Sequence, residues 1–209
     1  MTEAAFTVFL VDDDAGVLKA LSRLLRARGY EVQSFTSPRA FLADHDASIP
    51  GCAVFDVSMP GLDGLELQQA LSAGGSQRPV IFLTGKGDIP TSVRAMRAGA
   101  LDFLTKPVDD DDLLAAIARA EKHDAGTRHA NAELDQINAR LAVLTPRERE
   151  VMTHVIAGRL NKQIAGDLGT VEKTIKVHRG RVMEKLGVRS VAELVRLAEK
   201  AGVSARSRP

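Results

Sequence analysis

Apolar segments alternate with helix-forming segments through the first 122 residues, and this alternation restricts the fold more than any other feature. Within the helical segment 16–28, leucines recur at i, i+3, i+6 and i+7, which indicates one helix face: Leu18, Leu21, Leu24 and Leu25. The runs 8–11 and 80–83 are apolar without alternation, which is typical of strands buried on both faces. The pattern predicts strands at 6–11, 30–34, 53–56, 80–84 and 101–104, and helices at 16–28, 38–45, 65–73, 91–98 and 111–121. Each strand is followed by a helix, so we predict an α/β fold with a (βα)5 doubly wound parallel sheet.

A long helical segment follows, at about residues 112–144. It is predicted as one helix, or as two helices broken near Gly126. Leu134, Ile137, Leu141 and Leu144 repeat at spacings of three, four and three residues. Such a narrow apolar stripe fits a partner helix, but it also fits a linker helix that packs on its own domain. Both interpretations stay open at this point.

A small all-α region is predicted after the long helix. Thr145 is placed to cap a helix, Pro146 suits the first helical position, and Glu148 completes a capping box. Further helices are predicted at 147–157, 161–168, 172–186 and 191–201, with Gly158, Gly169 and Gly187 where helices end. We therefore predict three parts: residues 1–122, a helical linker at 123–143, and a second domain at 144–209.

The two predicted domains differ in charge. Residues 1–122 carry 12 Lys and Arg against 17 Asp and Glu, whereas residues 144–209 carry 14 against 7. An acidic half joined to a basic half indicates that only the second half meets a polyanion. The chain has seven Phe, one Tyr and no Trp, so we expect mostly aliphatic cores.

The remaining composition bears on location. Cys52 is the only cysteine, so neither an intrachain disulfide nor a cysteine-based zinc site is expected, and a reducing cytosol fits. No apolar run approaches the ~20 residues needed to cross a bilayer. The first residues lack the basic region of a signal peptide. We expect a cytoplasmic protein with no membrane partner.

Charged and hydroxyl side chains follow the predicted strands. Asp12 and Asp13 come after the first strand, Asp56 ends the third, Thr84 ends the fourth, and Lys106 follows the fifth. The carboxyl ends of parallel strands meet at one edge of a sheet, so these groups should converge there. Carboxylates about 4 Å apart repel by roughly 4 kcal/mol at an effective dielectric near 20, so a cation should compensate. Lys106 offsets one charge, and Mg²⁺ is the cofactor expected to offset the rest.

Residues 5–122 resemble the receiver domains of two-component response regulators. The resemblance rests on Val11-Asp12-Asp13-Asp14, Asp56 with Met59-Pro60-Gly61 and Asp63-Gly64, Thr84-Gly85, Ala98-Gly99-Ala100 and Lys106-Pro107. It implies that Asp56 accepts a phosphoryl group from a sensor histidine kinase. It also implies that Asp13, Asp56 and the backbone carbonyl of Ser58 ligate Mg²⁺, that Asp12 acts partly through water, and that Lys106 pairs with the phosphate.

The receiver resemblance further implies a switch pair. The Thr84 hydroxyl would move to the phosphate, and the Phe103 ring would rotate inward behind it. A phosphoryl group adds roughly −1.5 to −2 charge units, which biases an existing two-state element. The surface expected to change is the helix near residues 90–98 and the strand after it. The family also usually has a cis bond before the proline of Lys106-Pro107.

Residues 144–202 resemble the LuxR-type helix-turn-helix of the NarL/FixJ family. The match consists of Leu144-Thr145-Pro146-Arg147-Glu148-Arg149-Glu150, Gly158, Asn161-Lys162-Gln163-Ile164-Ala165, Thr174-Ile175-Lys176-Val177-His178 and Lys185-Leu186-Gly187-Val188. In the receiver, the string Thr84-Gly85-Lys86-Gly87-Asp88-Ile89-Pro90 points to the FixJ-like branch. The resemblance implies that helix 172–186 enters the major groove of DNA.

The same resemblance, with the helical pattern, predicts DNA contacts. Ile175, Val182 and Leu186 should face the core. Bases are expected to meet Lys176, Val177 and Gly180, and phosphates are expected to meet Lys173, Arg179, Arg181, Lys185, Asn161 and Lys162. Two residues depart from the family pattern: Val171 stands where Ser or Thr often caps the recognition helix, and Gly180 replaces a larger side chain. Either the cap moves back to Thr170, or a backbone contact to phosphate changes.

The predicted function is therefore a DNA-binding response regulator, not an enzyme. Phosphorylation of Asp56 is expected to control dimerisation and binding to promoter DNA, with RNA polymerase as a further partner. One alternative is a Mg²⁺-dependent aspartyl-phosphate hydrolase, but such enzymes typically have a second acid where this chain has Ser58. The other is a LuxR-type regulator that works without phosphorylation, which the complete set of acidic residues, Thr84 and Lys106 disfavours.

Overall fold

The computed structural model describes residues 5–85 and 89–204. The chain divides into two compact units, Met1–Arg128 and His129–Pro209. Both units contain part of α5, a helix that runs from Asp110 to Ala142 and is not interrupted at Gly126. The predicted linker at 123–143 therefore contributes to both units.

The first unit contains a parallel five-stranded sheet. Its strands are β1 Thr7–Val11, β2 Glu31–Phe35, β3 Gly51–Asp56, β4 Val80–Thr84 and β5 Asp102–Thr105, in the order β2-β1-β3-β4-β5. The helices between them are α1 Ala15–Ala27, α2 Pro38–Asp44, α3 Gly64–Ala73 and α4 Ile89–Arg97, and α5 follows β5. This architecture confirms the predicted (βα)5 fold. Most helix and strand ends differ from the predicted ones by one or two residues, because caps and turn residues fix them.

Both faces of the sheet are covered. Val8 and Leu10 of β1 pack with Leu25 of α1 and Ile117 of α5. The alternate residues of β1 face a second core, formed with α2, α3 and α4. That core holds most of the phenylalanines, in edge-to-face contacts: Phe9, Phe41, Phe55 and Phe82, with Phe35 and Phe103 beside them. The buried aliphatic residues of this core still outnumber its phenylalanines, so the prediction of mostly aliphatic cores is confirmed.

The second unit is helical. It contains α6 Pro146–Ile156, α7 Asn161–Asp167, α8 Glu172–Leu186 and α9 Val191–Lys200. The Thr145–Glu148 capping box opens α6 as predicted. Gly158, Gly169 and Gly187 adopt positive φ after α6, α7 and α8, which is the conformation that ends a helix with glycine.

The apolar stripe of the long helix packs within this second unit. Ile137, Leu141 and Leu144 are buried with Val151 and Met152 of α6. Leu134, at 38% exposure, lies outside that core. The structure therefore supports packing on its own domain, and it removes the stripe as an argument for a partner helix.

Candidate metal centre and nucleic-acid interface

The carboxyl edge of the sheet gathers the predicted acidic cluster. Asp12 follows β1, Asp56 ends β3 and Thr84 ends β4. These residues lie at one edge of the sheet because the parallel register aligns the strand ends. Asp12 is 3% exposed, Asp56 5% and Thr84 2%, whereas Asp13 is exposed. The sequence therefore predicted correctly which residues would meet.

Three carboxylates share this edge. One carboxylate oxygen each from Asp12, Asp13 and Asp56 lie within 4.8 Å of one another. The Lys106 Nζ lies 2.6 Å from Asp12 Oδ2 and 2.8 Å from Asp56 Oδ1. Burial by itself lowers the pKa of Lys106, but the hydrogen bonds to Asp12 and Asp56 outweigh it and raise the pKa above its ordinary value. The ammonium therefore stays charged and offsets part of the repulsion.

Backbone groups orient the remaining oxygens. The Asp14 N–H donates to Asp12 Oδ1 at 2.9 Å, and the Ser58 N–H donates to Asp56 Oδ2 at 3.0 Å. The Lys106 N–H donates to the Thr84 carbonyl at 2.7 Å, which fixes the start of the loop after β5 against β4. The Lys106-Pro107 bond is cis, as the family resemblance implied.

The donor set fits a hard divalent cation. Three carboxylates lie near the Lys106 ammonium, and carboxylate oxygens are the ligands that Mg²⁺ prefers in proteins. The contact that the structure gives Ser58 is its N–H to Asp56, so a ligand role for the Ser58 carbonyl stays a prediction.

The predicted switch residues lie on neighbouring strands. Phe103 of β5 pairs in register with Phe82 of β4, and their ring centroids are 6.3 Å apart. The Phe103 side chain is half-buried, whereas Thr84 is buried two residues beyond Phe82. Movement of this pair stays a prediction. Of the string thought to indicate the FixJ-like branch, residues 86–88 lie outside the described residues.

Helix α8 presents a polar, basic face. Ile175, Val182 and Leu186 are buried, as predicted. The opposite face exposes Lys173, Lys176, Val177, Gly180 and Arg181. Val177 is 48% exposed. Such a surface suits the major groove, where lysine and arginine read guanine edges and apolar groups contact thymine methyls.

The two departures from the family pattern are visible at this helix. Val171 is the N-cap of α8 and makes no side-chain cap hydrogen bond, so the cap does not move back to Thr170. Val171 is 65% exposed. A Cβ added at Gly180 would meet nothing within 4 Å.

Two of the residues predicted to contact DNA phosphates form hydrogen bonds within the domain. Lys185 Nζ lies 2.6 Å from Glu148 Oε2 and 3.3 Å from the Val143 carbonyl, so its ammonium holds α8 to the start of α6. This bond gives Lys185 a structural role, and its predicted phosphate contact stays a prediction. Arg179 donates to Asn161 Oδ1 at 3.2 Å, which joins the recognition helix to the start of α7.

The sequence predicts only one of the two roles of Glu148. Its capping role was predicted, but its partner Lys185 is 37 residues away and no local pattern signals the pair. Glu148 is 2% exposed. The Lys185 hydrogen bond, followed by that of the Thr145 backbone, lowers the pKa of Glu148 to about 2.

Within the described residues, no helix combines the length and apolar character needed to cross a membrane.

Comparison with known proteins agrees with this geometry. Residues 8–118 match the response regulator receiver domain, and residues 142–198 match the bacterial regulatory proteins of the luxR family. Nodulation protein W of Bradyrhizobium diazoefficiens is 43% identical over 95% of this chain and 87% of its own length. Transcriptional regulatory protein FixJ of the same species is 43% identical over 94% and 96%. The solved structure of the response regulator StyR has 47% identity and a TM-score of 0.83, with 94% of this chain and all of the other covered.

An acidic cluster with two buried carboxylates at the carboxyl edge of a (βα)5 sheet, joined to a LuxR-type helical unit, defines a response regulator. The chain belongs to the response regulators that combine a receiver domain with a LuxR-type DNA-binding domain, the group that includes FixJ. It is therefore a DNA-binding two-component regulator that controls transcription.

Proposed function

We propose that Asp56 is the phosphoryl acceptor of this regulator. The observation that carries the proposal is the position of its carboxylate, 5% exposed and 2.8 Å from the Lys106 ammonium. An Asp56 oxygen would attack the phosphorus of a phosphohistidine on a sensor kinase. The new O–P bond would form as the N–P bond breaks, and the released histidine nitrogen would take its proton from solvent.

The other residues of the edge bind and orient. Asp12, Asp13, Asp56 and the Ser58 carbonyl would hold Mg²⁺. When bound, this ion supplies positive charge that neutralises phosphoryl oxygens. Lys106 provides a second positive charge that stays on the protein, and its hydrogen bonds to Asp12 and Asp56 already place it there.

The phosphoryl group would then change the surface of the receiver. The Thr84 hydroxyl would turn to a phosphoryl oxygen, and Phe103 would move inward beside Phe82. The elements affected would be α4 and β5. We propose that this change promotes dimerisation of the chain on promoter DNA and contact with RNA polymerase, within the cytoplasm. Residues 1–122 would carry the switch, 123–143 the link and 144–209 the DNA contacts.

The proposed DNA face is centred on α8. Lys176, Val177 and Gly180 would face base edges. Backbone phosphates would be met by Lys173, Arg179, Arg181, Lys185, Asn161 and Lys162. Binding should weaken steeply with salt, because each neutralised phosphate releases counterions. The protein would turn over no external substrate, since Ser58 stands where an aspartyl-phosphate hydrolase typically has a second acid.

The test is phosphoryl uptake by the full-length chain. The protein is incubated with acetyl phosphate and Mg²⁺, and intact mass spectrometry detects an added phosphoryl group. We expect one group on the wild type, none on Asp56→Asn, and one on Asp112→Asn, which changes an exposed acid of the same domain. Uptake by Asp56→Asn equal to that of the wild type would remove the proposal.

A further inference from the structure

Two arginines bind the loop at the opposite edge of the sheet. This loop, residues 45–50, connects α2 to β3. Arg78, which is 7% exposed, donates from Nη2 to the carbonyls of Asp46 at 2.8 Å and Ile49 at 3.0 Å. Its guanidinium carbon lies 4.1 Å from the centre of the Phe9 ring. This buried guanidinium therefore fixes the loop from the sheet side.

Arg128 of α5 binds the same loop from the helix side. Its Nη1 donates to the Ser48 carbonyl at 2.9 Å. Its Nη2 donates to the carbonyls of Ala47 at 3.0 Å and Ile49 at 2.6 Å. The Ile49 carbonyl thus accepts from both arginines. Three carbonyls held by one forked side chain fix its direction as well as its position.

Asp124 completes the arrangement. It is 5% exposed, and its Oδ2 accepts from Arg128 Nε at 2.8 Å and from the Gly51 N–H at 3.2 Å. Gly51 is the first residue of β3, and a Cβ there would lie 2.0 Å from the Thr7 carbonyl. Only glycine therefore fits at the start of β3, because any Cβ would overlap the backbone of β1.

The position of Asp124 and Arg128 on α5 indicates which part of the helix they attach. The apolar contacts of α5 with the sheet end at Ala120, one turn before Asp124. Beyond Ala120, the helix is held to the receiver by the polar contacts of Asp124 and Arg128. The same helix continues to Ala142 and is the covalent connection to the DNA-binding unit.

We infer that Asp124 and Arg128 clamp α5 to the loop 45–50, and that phosphorylation-dependent DNA binding requires this clamp. The second half of the inference rests on the proposed function. A helix end from which Arg128 donates three hydrogen bonds to this loop stays attached to the receiver. A helix end released from them frays, and a change in the receiver is then no longer passed along it.

The first test is hydrogen exchange in the full-length protein. Arg128→Met keeps the length of the side chain and removes every donor. We expect exchange of amides 124–130 to become at least about tenfold faster, while the amides of β1, β3 and β4 keep their protection. The matched control is Lys122→Met, which removes an exposed cation from the same helix and should leave amides 124–130 unchanged. Unchanged exchange in Arg128→Met would overturn the clamp.

Arg128→Lys covers the case in which Arg128→Met loosens the whole sheet. Lysine keeps the charge beside Asp124 but cannot reach three carbonyls at once. We expect faster exchange confined to amides 124–130, and smaller than in Arg128→Met. Exchange in Arg128→Lys at the wild-type rate would contradict the inference.

The second test measures DNA affinity with and without beryllofluoride and Mg²⁺. We expect the wild type and Lys122→Met to bind DNA more tightly with beryllofluoride, and Arg128→Lys to lose most of this increase while still taking up phosphoryl groups from acetyl phosphate. A full increase in Arg128→Lys, with its helix end loosened, would overturn the inference. No increase in the wild type would instead refute the proposed function, and hydrogen exchange would still decide whether the clamp exists.

Discussion

At the carboxyl edge of the sheet three carboxylates lie near the Lys106 ammonium. At the amino edge the guanidinium groups of Arg78 and Arg128 lie among backbone carbonyls, with the Asp124 carboxylate beside them. Asp12 and Asp56 are buried beside like charges, which repel. Arg78 and Arg128 instead each donate to several backbone carbonyls, although Arg78 Nη1 is buried without a hydrogen-bond partner among the described residues. The sheet therefore has repelling negative charges at its carboxyl edge and hydrogen-bonded positive charges at its amino edge.

The difference indicates which edge does chemistry. A cluster with excess like charge is stable only when cations join it, so its state can depend on what binds. An arginine that donates to several carbonyls has little to gain from a ligand, so its effect is on structure. We therefore expect substitutions at the carboxyl edge to change phosphoryl transfer, and substitutions at the amino edge to change stability.

The largest effect is expected from Lys106→Met. Removing an ammonium that lies 2.8 Å from Asp56 Oδ1 should slow phosphoryl uptake by about a hundredfold, because it offsets charge on the transferred group. The measurement is the rate of uptake from acetyl phosphate, with Lys122→Met as the control. Uptake at the wild-type rate by a folded Lys106→Met protein would show that this residue of the carboxyl edge has no role in phosphoryl transfer.

At the amino edge, Arg78→Met should destabilise the receiver by about 2 kcal/mol, since the Asp46 carbonyl loses its charged donor and a buried stacking partner of Phe9 changes. Denaturant unfolding measures this change. Phosphoryl uptake under native conditions should stay close to that of the wild type. A large loss of uptake in a folded Arg78→Met protein would contradict the division between the edges.

The DNA-binding unit also contains a buried carboxylate that is paired with an ammonium, Glu148 with Lys185. The pKa of Glu148, ordinarily 4.5, is lowered to about 2, so this carboxylate contributes stability that is fully present above pH 4.5. The contribution should disappear as the pH falls from 4.5 towards 2. Hydrogen-exchange protection of α6 and α8 amides, compared between wild type and Glu148→Gln, measures it.

The protection of these amides should differ most between the wild type and Glu148→Gln above pH 4.5, and it should become equal near pH 2. A difference in protection that stays constant from pH 4.5 to pH 2 would mean that the ion pair of Glu148 with Lys185 does not contribute to the stability of this unit.

The smallest effect is expected from Arg119→Met. Arg119 pairs with Asp102 at the start of β5, but their side chains are 56% and 24% exposed. Solvent screens such a pair, so the loss in the free energy of unfolding should stay below about 1 kcal/mol. Urea unfolding tests this value. A loss as large as that of Arg78→Met would show that burial does not separate the two kinds of arginine.

Much of this arrangement could be predicted from the sequence. The meeting of Asp12, Asp56, Thr84 and Lys106 follows from strand ends alone, since parallel strands end at a common edge. The inward face of α8 follows from helical spacing. Both predictions depend on local periodicity and on one topological rule.

What could not be predicted depends on contacts between distant side chains. Glu148 and Lys185 are 37 residues apart, and Arg128 meets carbonyls about 80 residues earlier. Backbone carbonyls belong to every residue, so no letter in the sequence marks the loop 45–50 as a partner. For the same reason the sequence shows the charge of Lys185 but not its pairing with the buried Glu148.

The most direct test of the central claim compares the DNA affinity of the full-length wild type and of Asp56→Asn, each with and without beryllofluoride and Mg²⁺. We predict tighter binding for the wild type when both are added, and no change for Asp56→Asn. The same increase in both proteins, or none in a wild type shown to have bound beryllofluoride, would contradict control of the DNA-binding unit through Asp56.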